Sequence, residues 1–190
     1  MILLEEMEGL SQNITTNNRP KFFILDVDGV MTSGQFFYSE NGKEMKIFGP
    51  DDNDGLSLLL PYLSISFVTG DRKGFPISKK RISDDMNFDL DLVSTIKRID
   101  WIKERFNPAE VIYMGDGIFD HYVMQNVGYS IAPKNADENA KKNANYVTSR
   151  EGGNRAVAEA CLHILEKFFT PYNPNLLPTV QGKLSGEWDI

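Results

Sequence analysis

Four apolar residues, Phe22, Phe23, Ile24 and Leu25, run straight into Asp26, Val27, Asp28 and Gly29. An unbroken apolar run of this kind suits a strand buried on both faces, as in a parallel sheet covered by helices. Side chains alternate along a strand, so Asp26 and Asp28 fall on one side where the strand ends. In open α/β sheets, ligands bind just beyond the carboxyl ends of the strands. Two carboxylates this close repel unless a cation or a shared proton relieves them. The pair therefore asks for a hard divalent cation such as Mg²⁺, which takes oxygen ligands. Taken alone, an Asp-x-Asp also reads as a solvated acidic turn.

Two later stretches close in a related way. Ser66 to Val68 leads into Thr69-Gly70, and Val111 to Met114 leads into Gly115-Asp116, with Asp120 four residues beyond. Lys97 lies between them. An acidic pair, a Thr-Gly and a Gly-Asp-x-x-x-Asp, each closing an apolar strand in this order, resemble the haloacid dehalogenase superfamily of phosphohydrolases. The resemblance runs from about Phe22 to Phe168. It extends to the small capless branch of 3-deoxy-D-manno-octulosonate 8-phosphate phosphatases and sialic-acid-type phosphatases. Asn41 to Glu44, Tyr146 to Thr148 and Gly152 to Val157 look like that branch.

The 190-residue length predicts one domain with a sizeable core. A net charge of −7 argues against a nucleic-acid surface, because phosphate backbones are met by Lys and Arg. It leaves room for an anionic small substrate, since a pocket can be positive inside an acidic protein. Cys161 is the only cysteine, which excludes an intrachain disulfide and a Cys-based zinc site and fits a reducing cytoplasm. The acidic start of the chain does not read as a secretory signal, and no apolar run approaches a membrane span.

Strand patterns alternate with helix patterns along the chain, predicting a parallel sheet with helices on both faces. Gln35 to Phe48 reads as a β-hairpin with Asn41-Gly42 at its tip. It follows the acidic pair directly, so it should overhang that site. Ile96, Ile99, Ile102 and Phe106 recur at helical spacing, predicting a helix over Ser94–Phe106 capped by Ser94 or Thr95. Residues 1–170 form the expected hydrolase domain, with a short helix at Ile2–Met7. Residues 171–190, with Pro171, Pro174 and Pro178, form an expected extended tail.

The resemblance implies roles residue by residue. Asp26 matches a nucleophile that forms an aspartyl-phosphate, and Asp28 a general acid/base whose main-chain carbonyl ligates the metal. Asp116 matches the remaining protein ligand of Mg²⁺, and Asp120 a supporting residue or further ligand. Thr69 and Gly70 match donors to the phosphoryl oxygens. Lys97 is the candidate cation there, with Arg98, Lys73, Lys79 and Lys80 as alternatives. Without the family, Asp116 and Thr69 also read as helix caps, and Asp120 as a first-turn aspartate answering the helix dipole. The branch carries an arginine where this chain has Asp51, beside the matching Asp52. The resemblance implies that the loop at Gly152-Gly153 can reach a neighbouring pocket, so the flanking Arg150 and Arg155 are candidates to replace that charge at a substrate carboxylate; both equally read as solvated arginines around a turn. Asp71 and Gly117 are further departures from the branch.

These expectations describe a Mg²⁺-dependent phosphomonoesterase acting on a phosphorylated sugar acid of the 3-deoxy-2-keto type. The rivals are a broad phosphatase of nucleotides or small metabolites, and an inactive domain serving as a binding or regulatory module. The resemblance also implies a homotetramer in which neighbours cover each other's sites. The aromatic run Phe36-Phe37-Tyr38 suits such an interface.

Overall fold

The computed structural model describes residues 19–176. The expected helix at Ile2–Met7 and the tail from 177 onward lie outside them. Six parallel strands form the central sheet: β1 (Phe22–Asp26), β4 (Ser64–Thr69), β5 (Asp89–Leu92), β6 (Val111–Met114), β7 (Tyr129–Ala132) and β8 (Tyr146–Val147). Their order across the sheet is β5-β4-β1-β6-β7-β8. β1 sits inside the sheet, paired in parallel with β4 on one side and β6 on the other. Its apolar run is explained by the two cores it feeds. Phe23 and Leu25 pack into one, and Ile24 into the other. Burial on both faces is what an internal parallel strand requires.

The hairpin is longer than the pattern predicts. Its strands are β2 (Thr32–Ser39) and β3 (Gly42–Phe48), forming a separate two-stranded sheet directly after the acidic pair. Among the described residues it is the only insertion between β1 and the helix α1 (Asp52–Leu59) that leads to β4, so no large cap is present. α2 (Phe75–Lys79) continues into a π-helical stretch over Lys80–Asp85. The helix expected over Ser94–Phe106 divides: Thr95–Lys97 is a 3₁₀ turn, and α3 proper is Arg98–Arg105. Ser94 makes no side-chain cap bond. α4 (His121–Met124), α5 (Glu138–Asn143) and α6 (Ala156–Phe168) complete the helices.

α1 and α6 are pinned to each other. A Cβ on Gly55 would lie 2.8 Å from the Ala158 Cα, so only glycine lets these backbones meet so closely. Beside it, the buried Asp52 accepts a hydrogen bond from the Ala158 N–H at 3.0 Å, satisfying a donor in the first turn of α6. Asp52 is therefore a helix-holding residue, which corrects its assignment to substrate. Its second carboxylate oxygen is buried without a partner. Burial pushes its carboxyl from 3.8 up to about 6. The folded state thus holds the proton more tightly than the unfolded chain, and stability is lost as pH rises from about 4 to about 6. Asp52→Asn keeps an oxygen for Ala158 and removes the buried charge. Relative to wild type it should gain about 2–3 kcal/mol between pH 4 and pH 7 in denaturant unfolding. A stability difference that does not change with pH would contradict this.

Candidate active site

The ends of β1, β4 and β6 bring Asp26, Thr69 and the Asp116 loop together. Asp26 is the last residue of β1 and is buried. Its Oδ1 accepts from the Val27 N–H at 2.7 Å. Arg98, the first residue of α3, grips it from the other side, Nη1 to Oδ2 at 2.8 Å and Nη2 to Oδ1 at 2.9 Å. This two-pronged geometry is what a guanidinium offers a carboxylate. Burial pushes Asp26 up to about 6, against the pull of Arg98.

Arg98 corrects the assignment of Lys97. The 3₁₀ turn before α3 rotates the chain so that Lys97 faces solvent and Arg98 faces the end of β1. Arg98 is buried and also donates to the Tyr113 hydroxyl at 2.8 Å and to Asp120 Oδ1 at 2.9 Å. Asp120 is fully buried. It accepts from the Tyr113 hydroxyl at 2.6 Å and from the Gly117 N–H at 2.8 Å. It thus fixes Arg98 and the loop carrying Asp116 at once.

Asp116 stands opposite Gly29. A Cβ on Gly29 would fall 1.9 Å from an Asp116 carboxylate oxygen, and Gly29 also has a φ of +88°, where side chains are strained. Glycine is needed here for both reasons. Asp26, Asp116 and Asp120 each bring a carboxylate oxygen within 4.8 Å of the others. Burial, then the charges of Asp26 and Asp120, push Asp116 up to about 8. Acids crowded enough to hold a proton near neutral pH are a donor set that a hard divalent cation satisfies, so these residues fit a Mg²⁺-type site.

Asp28 has a side chain 26% exposed, at the mouth of the site. The Thr69 hydroxyl donates to its Oδ2 at 3.2 Å and accepts from the Asp71 N–H at 3.1 Å. Gly70 is exposed beside it. Lys46, from β3, reaches Asp28 Oδ1 at 2.7 Å, a contact absent from the sequence expectations.

Arg150 and Arg155 are not gathered here. Arg155 pairs with Asp51, and both lie with Arg150, Glu159 and Tyr172 along a groove between α1 and α6. Asp51 thus takes up one of the charges expected to compensate for it. Gly152 instead packs against the loop that follows β1: its Cβ would lie 1.8 Å from the Gly29 carbonyl oxygen. The two glycines serve close backbone packing, and the flanking arginines do not enter the carboxylate cluster.

Comparison with known proteins agrees with this geometry. The family described as haloacid dehalogenase-like hydrolase matches residues 101–160. The 3-deoxy-D-manno-octulosonate 8-phosphate phosphatase of Salmonella typhi is 30% identical over 174 residues, covering 86% of this chain and 82% of the relative. The cobalt-bound deoxy-D-mannose-octulosonate 8-phosphate phosphatase of Haemophilus influenzae superposes with a TM-score of 0.70 at 30% identity, covering 78% of this chain and 89% of that one. The Moraxella catarrhalis phosphatase, solved with magnesium, phosphate and a KDO molecule, gives 0.66 at 25% identity, covering 78% and 87%. This chain belongs to the haloacid dehalogenase-like hydrolases, in the capless branch of 3-deoxy-D-manno-octulosonate 8-phosphate phosphatase-like proteins.

Proposed function

We propose that this phosphoric-monoester hydrolase is Mg²⁺-dependent and removes phosphate from a sugar acid of the 3-deoxy-2-keto type through an aspartyl-phosphate on Asp26. The observation that carries this reading is the convergence of Asp26, Asp28 and Asp116 at neighbouring strand ends, with Asp116 driven up to about 8 by its acidic neighbours. Asp26 and Asp116, with the Asp28 carbonyl, would hold the metal, which supplies positive charge for the phosphoryl oxygens. The substrate class is supported by the relatives.

The steps follow from the chain's own groups. An Asp26 carboxylate oxygen bonds to phosphorus as the phosphorus–ester bond breaks. Asp28, in its acid form, gives its proton to the departing sugar oxygen. Asp28 then takes a proton from water as that water bonds to phosphorus and the Asp26–phosphorus bond breaks, releasing phosphate and restoring both carboxyl groups. Arg98 holds Asp26 in place throughout, its charge offsetting the negative charge gathered there. Thr69 holds Asp28, and the exposed Gly70 beside it would offer its main-chain N–H to phosphoryl oxygens.

A panel of phosphate esters tests the substrate. Turnover of 3-deoxy-D-manno-octulosonate 8-phosphate should exceed that of neutral hexose phosphates by about tenfold or more in kcat/KM, the scale of one charge-assisted contact. Equal turnover across sugars and nucleotides would favour a broad phosphatase, and no turnover of any ester an inactive binding module.

The proposed assembly is a homotetramer, in a cytoplasmic setting that the buried free thiol of Cys161 fits. Phe37 and its cross-strand partner Met45 are exposed, at 54% each, with Ile47 on the same face, giving an apolar surface suited to another copy; Phe36 and Tyr38 are exposed on the face that carries Lys46 and Lys43. Light scattering should report four times the 21.5 kDa chain mass, and a monomer would contradict the assembly. No helix among the described residues is long and apolar enough to cross a membrane.

A further inference from the structure

The hairpin is inside out. In β3, Met45 and Ile47 are exposed while Lys46 between them is buried, its side chain 0% exposed. A strand built only to cover a core would turn its apolar residues inward and its lysine outward. Burying an ammonium is costly unless every donor is matched. Here three partners surround it. Lys46 Nζ meets Asp28 at 2.7 Å to Oδ1 and 2.9 Å to Oδ2, Asp71 Oδ2 at 2.9 Å, and Ser78 Oγ at 2.8 Å. Gly74 leaves the space: a Cβ there would lie 2.6 Å from Lys46 Cε and 2.1 Å from Asp71 Oδ2. Lys43, from the same strand, pairs with Asp71 but not with Asp28.

We propose that Lys46 is a positioning residue for Asp28, so that the seated hairpin sets the orientation in which the acid/base works. The inference rests on the proposed role of Asp28. Lys46 touches both carboxylate oxygens, and the Thr69 hydroxyl donates to one of them as well. Together they leave the carboxyl group little freedom to turn. Asp71 and Ser78, from the segment after β4, hold the ammonium from behind. Lifting the hairpin therefore withdraws the group that aims Asp28.

The leaving group reads this out. Nitrophenolate departs as a stable anion and needs little help from an acid, whereas a benzyl alkoxide needs the proton. Lys46→Met and Lys46→Gln are assayed on p-nitrophenyl phosphate and benzyl phosphate, two esters of similar bulk, beside Asp28→Asn and Lys43→Met. Asp28→Asn should lose about 100-fold more turnover on the benzyl ester than on the nitrophenyl ester, within the usual range for a general acid. The Lys46 variants should move the same ratio by about tenfold, and Lys43→Met should leave it unchanged. Equal losses on both esters from the Lys46 variants, with the Asp28 effect intact, would overturn the positioning role. No differential for Asp28→Asn would instead overturn the acid/base assignment beneath it. Should neither Lys46 variant fold, Ser78→Ala removes one partner of the ammonium and should move the ratio about threefold in the same direction; an unchanged ratio overturns the proposal.

Discussion

Asp26→Asn should give a folded protein whose phosphate release falls by about 10³-fold or more, the order expected when a covalent nucleophile is removed. An amide does not form the acyl-phosphate. The fold should survive because Arg98 keeps Asp120 and Tyr113 as partners when the charge of Asp26 is gone. Losing that charge also eases the crowding that raises Asp116, in which Asp26 is the leading charged neighbour. Steady-state release from p-nitrophenyl phosphate and a thermal melt check the two halves of the expectation. A variant retaining a tenth of wild-type turnover would show that Asp26 is not the nucleophile.

Removing the metal should have an effect of similar size. Chelation is expected to abolish turnover, and Mg²⁺ to restore it. Ca²⁺ should bind but support little activity, because its larger and looser shell does not hold the same geometry. The raised Asp116 adds a sign that can be checked. With a folded-state value of about 8, its carboxyl carries a proton at neutral pH that a cation must displace. Apparent Mg²⁺ affinity should therefore fall as pH is lowered below 8, approaching about tenfold per pH unit for one displaced proton. The same carboxyl lowers the stability of the metal-free protein as pH rises from 3.8 toward 8, so added Mg²⁺ should raise the melting temperature more at pH 8 than at pH 6. Full activity in excess chelator would contradict the metal site, and a pH-independent Mg²⁺ requirement would remove Asp116 from it.

The carboxylates were legible because each sits where a local pattern ends. Asp26 closes an apolar run, and Asp116 follows a second one by two residues; neither position depends on distant packing. The sheet was legible for the same reason. What failed depended on rotation or on partners far along the chain. Lys97 and Arg98 are adjacent cations, and the choice between them turns on three residues of 3₁₀ helix whose geometry no periodicity encodes. Ile96 fitted the helical spacing, yet the same turn leaves it exposed. A stronger signal was available: Arg98 lies four residues before the fully buried Ile102, on the inward face of α3.

Asp52 was misread because its neighbours in the sequence are the departing Asp51 and a loop, whereas its partner is the N–H of Ala158. The pairing of Arg155 with Asp51 was equally out of reach of local patterns, since Asp51 comes to it from far along the chain. Lys46 was missed for a subtler reason. The alternation from Glu44 to Phe48 correctly marks a strand, but composition assigns its faces backwards. The lysine goes inward because Asp28, Asp71 and Ser78 wait there, and its neighbours Met45 and Ile47 go outward.

A covalent intermediate on Asp26 can be caught by rapid-quench labelling. Enzyme mixed with Mg²⁺ and a ³²P-labelled sugar-acid phosphate is stopped in acid within the first turnover and digested. Label is expected on the peptide carrying Asp26, lost on mild base treatment as an acyl-phosphate is, and absent from Asp26→Asn. Normal turnover with no labelled peptide at any quench time, while Asp26→Asn still releases phosphate at a rate near wild type, would contradict it.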